Sequence, residues 1–230
     1  MIAMQFYLML MIALLPVVKH KHVVIAHRGD HTVLPENTLA AYARAIEDGV
    51  DYVEVDVRTF KDGRLYISHG ALSELNESVP SLPDVLQLCK GRVNIYLDFK
   101  EADPVVVYPM IKKAGMEKHM VVYCNTLEQV DAWQKVAPKM PLMTSIPDDV
   151  KDLNAFFDKY PVAVIDGNIG QYTPVMLALF KKRNIAVWLD VQAKDEGPLS
   201  WQQALDTPVQ GLQTDHPAAL INYLKQKGNR

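Results

Sequence analysis

Residues 23–70 read VVIAHRGDHTVLPENTLAAYARAIEDGVDYVEVDVRTFKDGRLYISHG. Short apolar runs here end in groups that carry chemistry. His27 and Arg28 follow VVIA, Glu54 and Asp56 alternate with valines in YVEVDV, and His69 ends LYIS. In a strand, successive side chains point to opposite faces, so Glu54 and Asp56 share a face away from Val53, Val55 and Val57. Two carboxylates side by side on a face that should be core are costly unless a cation lies between them. Asp62-Gly63 is a tight-turn signal, and the residues between Thr59 and Leu65 are too few for a parallel crossover. Residues 64–69 are therefore expected to pair back as a hairpin.

Outward from this stretch, apolar strand-like runs alternate with amphipathic helical ones. Strands are expected to begin near Val23, Tyr52, Leu65, Val93, Met120, Met140, Val162, Ile185 and Val209. Helices are expected over 36–48, 82–90, 105–114, 127–136, 149–159, 174–183, 201–205 and 218–227. For the first helix, Pro35 suits the first turn and Gly49 the end, with Ala40, Ala41, Ala43 and Ala45 between them. The repeated βα pattern predicts a parallel sheet or barrel. With the hairpin strand set aside, eight strands remain, and a chain of 230 residues suits one TIM (β/α)8 barrel, which takes roughly 200–250. Catalytic groups of such barrels sit at the C-terminal strand ends. His27, Arg28, Glu54, Asp56, Asp98 and Lys100 all lie at or near such ends, which packing alone does not explain.

With 24 basic and 27 acidic residues the net charge is −3, which argues against a nucleic-acid surface. Cys89 and Cys124 lie in apolar contexts with no metal-ligand spacing and are expected as buried thiols. Residues 2–18 are almost wholly apolar, short for a membrane span but suited to the core of a signal peptide or a short anchor. The expected organisation is an apolar segment over 1–18, with export or membrane association, followed by the barrel domain over 19–230. A buried helix across the barrel floor, in a cytoplasmic protein, is the other reading.

The motifs AHRG at 26–29, PENT at 35–38, EVD at 54–56, a histidine at 69, DFK at 98–100 and TDHP at 214–217 resemble the glycerophosphodiester phosphodiesterase family. The likeness runs from Val23 to about Leu220 in the family's order. It implies a barrel of the phospholipase-C-like phosphodiesterase type that uses a divalent cation, Mg²⁺ or Ca²⁺, to hydrolyse a glycerol-linked phosphodiester. By this resemblance Glu54, Asp56 and Asp98 are metal ligands, and His27 and His69 are the acid–base pair. Arg28 and Lys100 contact the phosphate, and Trp188 in VWLD lines the substrate pocket. The chain departs from the family in four places. Asp98 stands where glutamate is usual, His69-Gly70 replaces His-Asp, the 70–80 loop is short, and Leu189-Asp190-Val191 replaces the polar end of the VW motif. The first two departures are similar to the sphingomyelinase D branch.

The residue types suit this chemistry. Carboxylates hold a hard cation better than zinc. Such a cation neutralises a phosphodiester and lowers the pKa of a bound hydroxyl. Two histidines supply a base and an acid near neutral pH, without saying which is which. Arginine offers phosphate a planar fork. The alternatives are a phospholipase D-like enzyme acting on lysophospholipids or sphingolipids, and an inactive barrel that binds a phosphorylated ligand. In either case the partner is a small phosphodiester or a lysolipid. Among the remaining polar residues, Glu36 is expected to favour the first helix's N-terminus, the other reading being a place in the metal or phosphate network, and Asn37 is expected to fix a loop. Asn125 is expected to reach substrate, His31 to be peripheral, and Asp215 to be a structural loop residue. His20, His22, His119 and His216 are expected at the surface or in loops.

Overall fold

A computed structural model describes residues 15–230. Eight parallel strands close a barrel: β1 (Val23–Ala26), β2 (Tyr52–Thr59), β4 (Asn94–Glu101), β5 (Met120–Cys124), β6 (Leu142–Thr144), β7 (Val164–Asn168), β8 (Ala186–Asp190) and β9 (Gly211–Thr214). The seam is sealed by β1, which pairs with β9 through four residues and with β2 at Ile25 and Ala26. Eight helices alternate with these strands: α1 (Leu39–Asp48), α2 (Leu82–Cys89), α3 (Pro104–Ala114), α4 (Leu127–Val136), α5 (Leu153–Lys159), α6 (Pro174–Lys182), α7 (Pro198–Leu205) and α8 (Pro217–Gln226). The expected hairpin is β3 (Leu65–Ile67), antiparallel to β2 and outside the barrel. Its turn closes through Gly63 N–H to the Phe60 carbonyl, with Gly63 at φ +88°.

Six of the eight helices begin where a side chain accepts one of their first free N–H groups. Thr38 caps α1, and Ser81 with Asp84 and Thr126 with Gln129 close capping boxes on α2 and α4. The first helix starts at Leu39, three residues later than its alanines and Pro35 suggest. Asn37 at φ +55° interrupts any helical run from Glu36. Glu36 therefore does not sit in the first turn of α1. Its carboxylate is 2.9 Å from Arg28 Nη1 and lies beside the site described below.

Alternation along the strands builds two apolar layers. Val53, Val55, Val57, Ile95, Leu97 and Phe99 face the helices. Val23, Ile25, Tyr52, Tyr96, Val121, Met143, Val164 and Trp188 fill the lower barrel interior, with Leu15 and Val18 packed beneath them. Trp188 lies 5.0 Å from Tyr52 and 6.3 Å from Tyr96, centroid to centroid. A Cβ at Gly211 would meet the indole at 2.5 Å, so glycine at the start of β9 makes room for it.

Below this floor, Asp51 accepts from His20, from the backbone of Val24 and from Arg230, tying both ends of the described chain to the barrel. His22 lies in the bend before β1, as expected of a loop histidine, but is buried there. Burial, then nearby Lys21, holds its pKa below the usual histidine value. Cys89 and Cys124 are free, buried thiols, and burial pushes both up in pKa. Residues 2–14 of the apolar N-terminal stretch lie outside the described residues. Among the described residues no helix is long and apolar enough to cross a membrane.

Candidate active site

The C-terminal end of every barrel strand contributes an inward polar group. The groups of β1, β2 and β4, with the β3 loop, converge. Glu54 and Asp56 project from β2 and Asp98 from β4, where Asp56 and Asp98 are direct cross-strand partners. Each offers one carboxylate oxygen within 4.8 Å of the others, and all three are buried. Burial first, then the charges of Asp56 and Asp98, pushes Glu54 well above the usual carboxylate range. Burial raises Asp98 as well. Three crowded acids in low dielectric call for a cation.

Two side-chain cations partly meet that need. Lys100 Nζ lies 2.6 Å from Asp98 and 3.4 Å from Asp56. Burial opposes its charge, but Asp98, Asp56 and Glu54 outweigh it and raise its pKa. Arg28 lies on the other side, with Nε 3.5 Å from Asp56. That Nε is buried and has no hydrogen-bond partner among the described residues. The resulting set is three hard oxygen donors with only partial compensation, which fits a divalent cation such as Mg²⁺ or Ca²⁺.

Neighbouring groups fix the carboxylates. Asn37 Nδ2 donates to Asp56 at 2.8 Å, and its own oxygen accepts from the buried Tyr42 hydroxyl at 2.6 Å. The side chain of Asn37, expected to fix a loop, instead holds an acid of the site. Asn125 Nδ2 donates to Asp98 at 2.7 Å and to the Phe99 carbonyl, so this amide is engaged in holding Asp98. Glu54 accepts from the backbone N–H of Arg28 at 2.8 Å. That contact depends on the left-handed turn after β1, with Arg28 at φ +53° and Gly29 at φ +82°. A Cβ on Gly29 would lie 2.7 Å from the Ala41 backbone carbon, so the turn packs directly against α1.

The two histidines at this rim differ in their hydrogen-bond partners. His27 Nδ1 is 2.6 Å from Asp215 Oδ1. The carboxylate can only accept, so Nδ1 carries a proton, and in the neutral ring this leaves the lone pair on Nε2. Burial works against the charge of Asp215, but His27, His31 and His216 hold its pKa below the usual range. Glu196 accepts from the Asp215 backbone N–H and from the Thr214 hydroxyl, steadying this loop. His69 Nδ1 is 2.8 Å from Arg28 Nη2, and the guanidinium can only donate. His69 Nδ1 therefore accepts, and the neutral ring carries its proton on Nε2. The carbonyl of His69 is held by Arg58 Nε and Nη2 at 3.1 and 2.8 Å, while Arg58 Nη1 binds Glu101.

His27, Arg28, Glu54, Asp56, His69, Asp98 and Lys100 thus gather at one rim. Trp188 is apart from them, in the floor and 3% exposed. Two partners have other roles than the favoured readings of the sequence: Asp215, read as a structural loop residue, meets His27, and Glu36, read as favouring the helix N-terminus, pairs with Arg28. The signal for Asp215 was barrel closure, since pairing of β9 with β1 brings residues 214 and 26 into register and leaves Asp215 beside His27.

A family model described as the Glycerophosphoryl diester phosphodiesterase family matches residues 27–93. A glycerophosphodiester phosphodiesterase from Caldanaerobacter subterraneus is 24% identical over 259 residues, covering 90% of this chain and 100% of its own. The crystal structure of a glycerophosphodiester phosphodiesterase from Agrobacterium tumefaciens superposes with a TM-score of 0.76 at 22% identity, covering 87% of this chain and 99% of that one. A phosphodiesterase from Oleispira antarctica, solved in complex with the product sn-glycerol-3-phosphate, superposes with a TM-score of 0.71 at 17% identity, covering 88% and 96%.

Proposed function

We infer that the chain is a member of the glycerophosphoryl diester phosphodiesterase family, a family of phosphoric diester hydrolases, from the family model over residues 27–93, the relative matched along its whole length and the shared fold. On that premise we propose that it hydrolyses glycerophosphodiesters to glycerol phosphate and an alcohol, with a divalent cation held by Glu54, Asp56 and Asp98. The carrying observation is a pair of histidines at the rim of the acidic triad, one with Nδ1 on the Asp215 carboxylate and the other with Nδ1 on the Arg28 guanidinium. The cation, Mg²⁺ or Ca²⁺, would supply charge neutralisation for the phosphodiester and acidify a hydroxyl beside it.

The protein's own groups divide the remaining work. His27, with its lone pair on Nε2 and Asp215 behind it, is the base that takes the proton of the attacking hydroxyl or water. His69, with its proton on Nε2, is the acid that gives that proton to the leaving alcohol oxygen. Arg28 and Lys100 are the charged donors nearest the triad, suited to the non-bridging phosphate oxygens. The substitution of aspartate for glutamate at 98, Gly70 after His69 and the short 70–80 loop support a second reading, that of a phospholipase D-like enzyme acting on lysolipids.

The test is turnover by the full chain of glycerophosphocholine, glycerophosphoethanolamine, glycerophosphoglycerol and lysophosphatidylcholine, with Mg²⁺, Ca²⁺ or chelator. Metal-dependent release from the water-soluble diesters is expected, falling by about 10²–10⁴-fold in His27→Ala and in His69→Ala. Release from the lysolipid alone would move the activity to the second reading. Undiminished turnover under chelator, or in both histidine variants, would overturn the proposal. A folded protein that binds these diesters without cleaving them would be an inactive phosphate-binding barrel.

A further inference from the structure

The polar ring at the barrel mouth has a second half that the chemistry above leaves unused. From Asp98 it continues through Tyr123, whose hydroxyl is 2.8 Å from Ser145 Oγ, and on to Asp166, 3.3 Å from Ser145. It then passes to Asp190, which accepts from Gln213 Nε2 at 2.7 Å. In the closed strand order, β7 lies across the lumen from β2 and β8 across from β4. Asp166 and Asp190 therefore face the metal-binding half from the opposite wall.

These two acids differ from the triad in having no cation. Neither forms an ion pair with a lysine, arginine or histidine among the described residues, although Asp166 is only 8% exposed. Burial, then the charge of Asp190, pushes Asp166 up to about 8, and burial pushes Asp190 to about 6. Gln213 provides an independent observation. It is 7% exposed, its amide N–H is used on Asp190, and its Oε1 is buried with no hydrogen-bond partner among the described residues. An orphaned buried acceptor is destabilising, and one on the inner wall beside two carboxylates marks a place where a donor belongs.

We propose that Asp166, Asp190 and Gln213 form the subsite for the alcohol arm of the diester, and that the arm they select ends in a primary ammonium group. This rests on the phosphodiesterase reading and adds the identity of the alcohol. Three acceptors on three adjacent strands match the three N–H donors of an ammonium. Two carboxyl groups with no cation of their own, which ionise when one enters, favour a cation over a neutral polyol. The unpaired amide oxygen favours an N–H donor over a quaternary ammonium, which has none to give. With the phosphate on the triad side, the alcohol arm would point across the lumen toward this wall.

The experiment compares kcat/KM of the full chain, with Mg²⁺, for glycerophosphoethanolamine, glycerophosphocholine and glycerophosphoglycerol. The ethanolamine diester is expected to lead both others by about tenfold or more. Asp166→Asn and Asp190→Asn, which keep the shape and remove a charge, should each reduce that lead about tenfold, mainly through KM. Gln213→Met, which removes the acceptor without altering charge, should reduce the lead over the choline diester. Equal wild-type rates, or a lead that survives both aspartate variants, would overturn the subsite while leaving phosphodiester hydrolysis intact. If no diester is cleaved, the function falls, and saturation-transfer NMR with ethanolamine decides the subsite. A signal lost in both aspartate variants would support it, and no signal with the wild type would overturn it.

Discussion

The difference between His27 and His69 lies in their partners. Both end apolar runs, but one is backed by a carboxylate at 2.6 Å and the other by a guanidinium at 2.8 Å. If Asp215 serves to hold the His27 tautomer, Asp215→Asn should lower kcat by about 10²-fold or more with little change in KM. The pH dependence of kcat should also change, which a merely structural role would not produce. Equal losses in kcat and thermal stability would mark Asp215 as a loop residue only. That His27 and His69 are candidates was legible from strand-end position. Which partner each meets was not, because Asp215 lies 188 positions away and approaches only when β9 closes on β1. Trp188 shows the complementary limit. Alternation puts it on the inner face of β8, but the layer it occupies depends on the bare Gly211 next to it on β9.

At the scale of elements, the β2–β3 hairpin was readable from Asp62-Gly63, since so short a link cannot make a parallel crossover. The start of α1 was not, because the left-handed residues Arg28 and Asn37 delay the helix while aiming their groups at Glu54 and Asp56. Two connections are testable here. Gly29→Ala would force a Cβ into the Ala41 backbone at a positive φ. It should cost ~3 kcal/mol, lowering Tm by about 6–12 °C in a thermal melt. The hairpin loop in turn carries His69, whose ring meets Arg28 and whose carbonyl is clamped by Arg58. Arg58→Ala should leave Tm within a few degrees but cut kcat about tenfold or more, since a small misplacement of a proton donor is expensive. Unaltered kcat in this variant would show that the loop positions His69 without that clamp.

For the whole molecule, the barrel closes around more inward-facing acid than its own cations balance. Glu54 has its pKa raised by burial, then by Asp56 and Asp98, from an ordinary 4.5. Between the ordinary and the raised value the folded, metal-free state holds a proton that the unfolded chain has released. Stability must therefore fall as pH rises through that window. A divalent cation on the triad replaces that proton and removes the penalty. The metal-free protein should accordingly melt at a lower temperature at pH 8 than at pH 5.5. Addition of Mg²⁺ or Ca²⁺ should raise Tm most at the higher pH, by an amount set by RT ln(1 + [L]/Kd), or about 2.7 kcal/mol at a hundredfold excess over Kd. Asp56→Asn should abolish the metal-induced shift and flatten the pH dependence, since it removes both a ligand and one of the charges acting on Glu54. Calorimetric melts across pH with chelator or metal provide the check. A Tm that rises with pH in chelator, or one that metal leaves unmoved, would mean that Lys100 and Arg28 already neutralise the triad and that its acids serve as ion-pair partners.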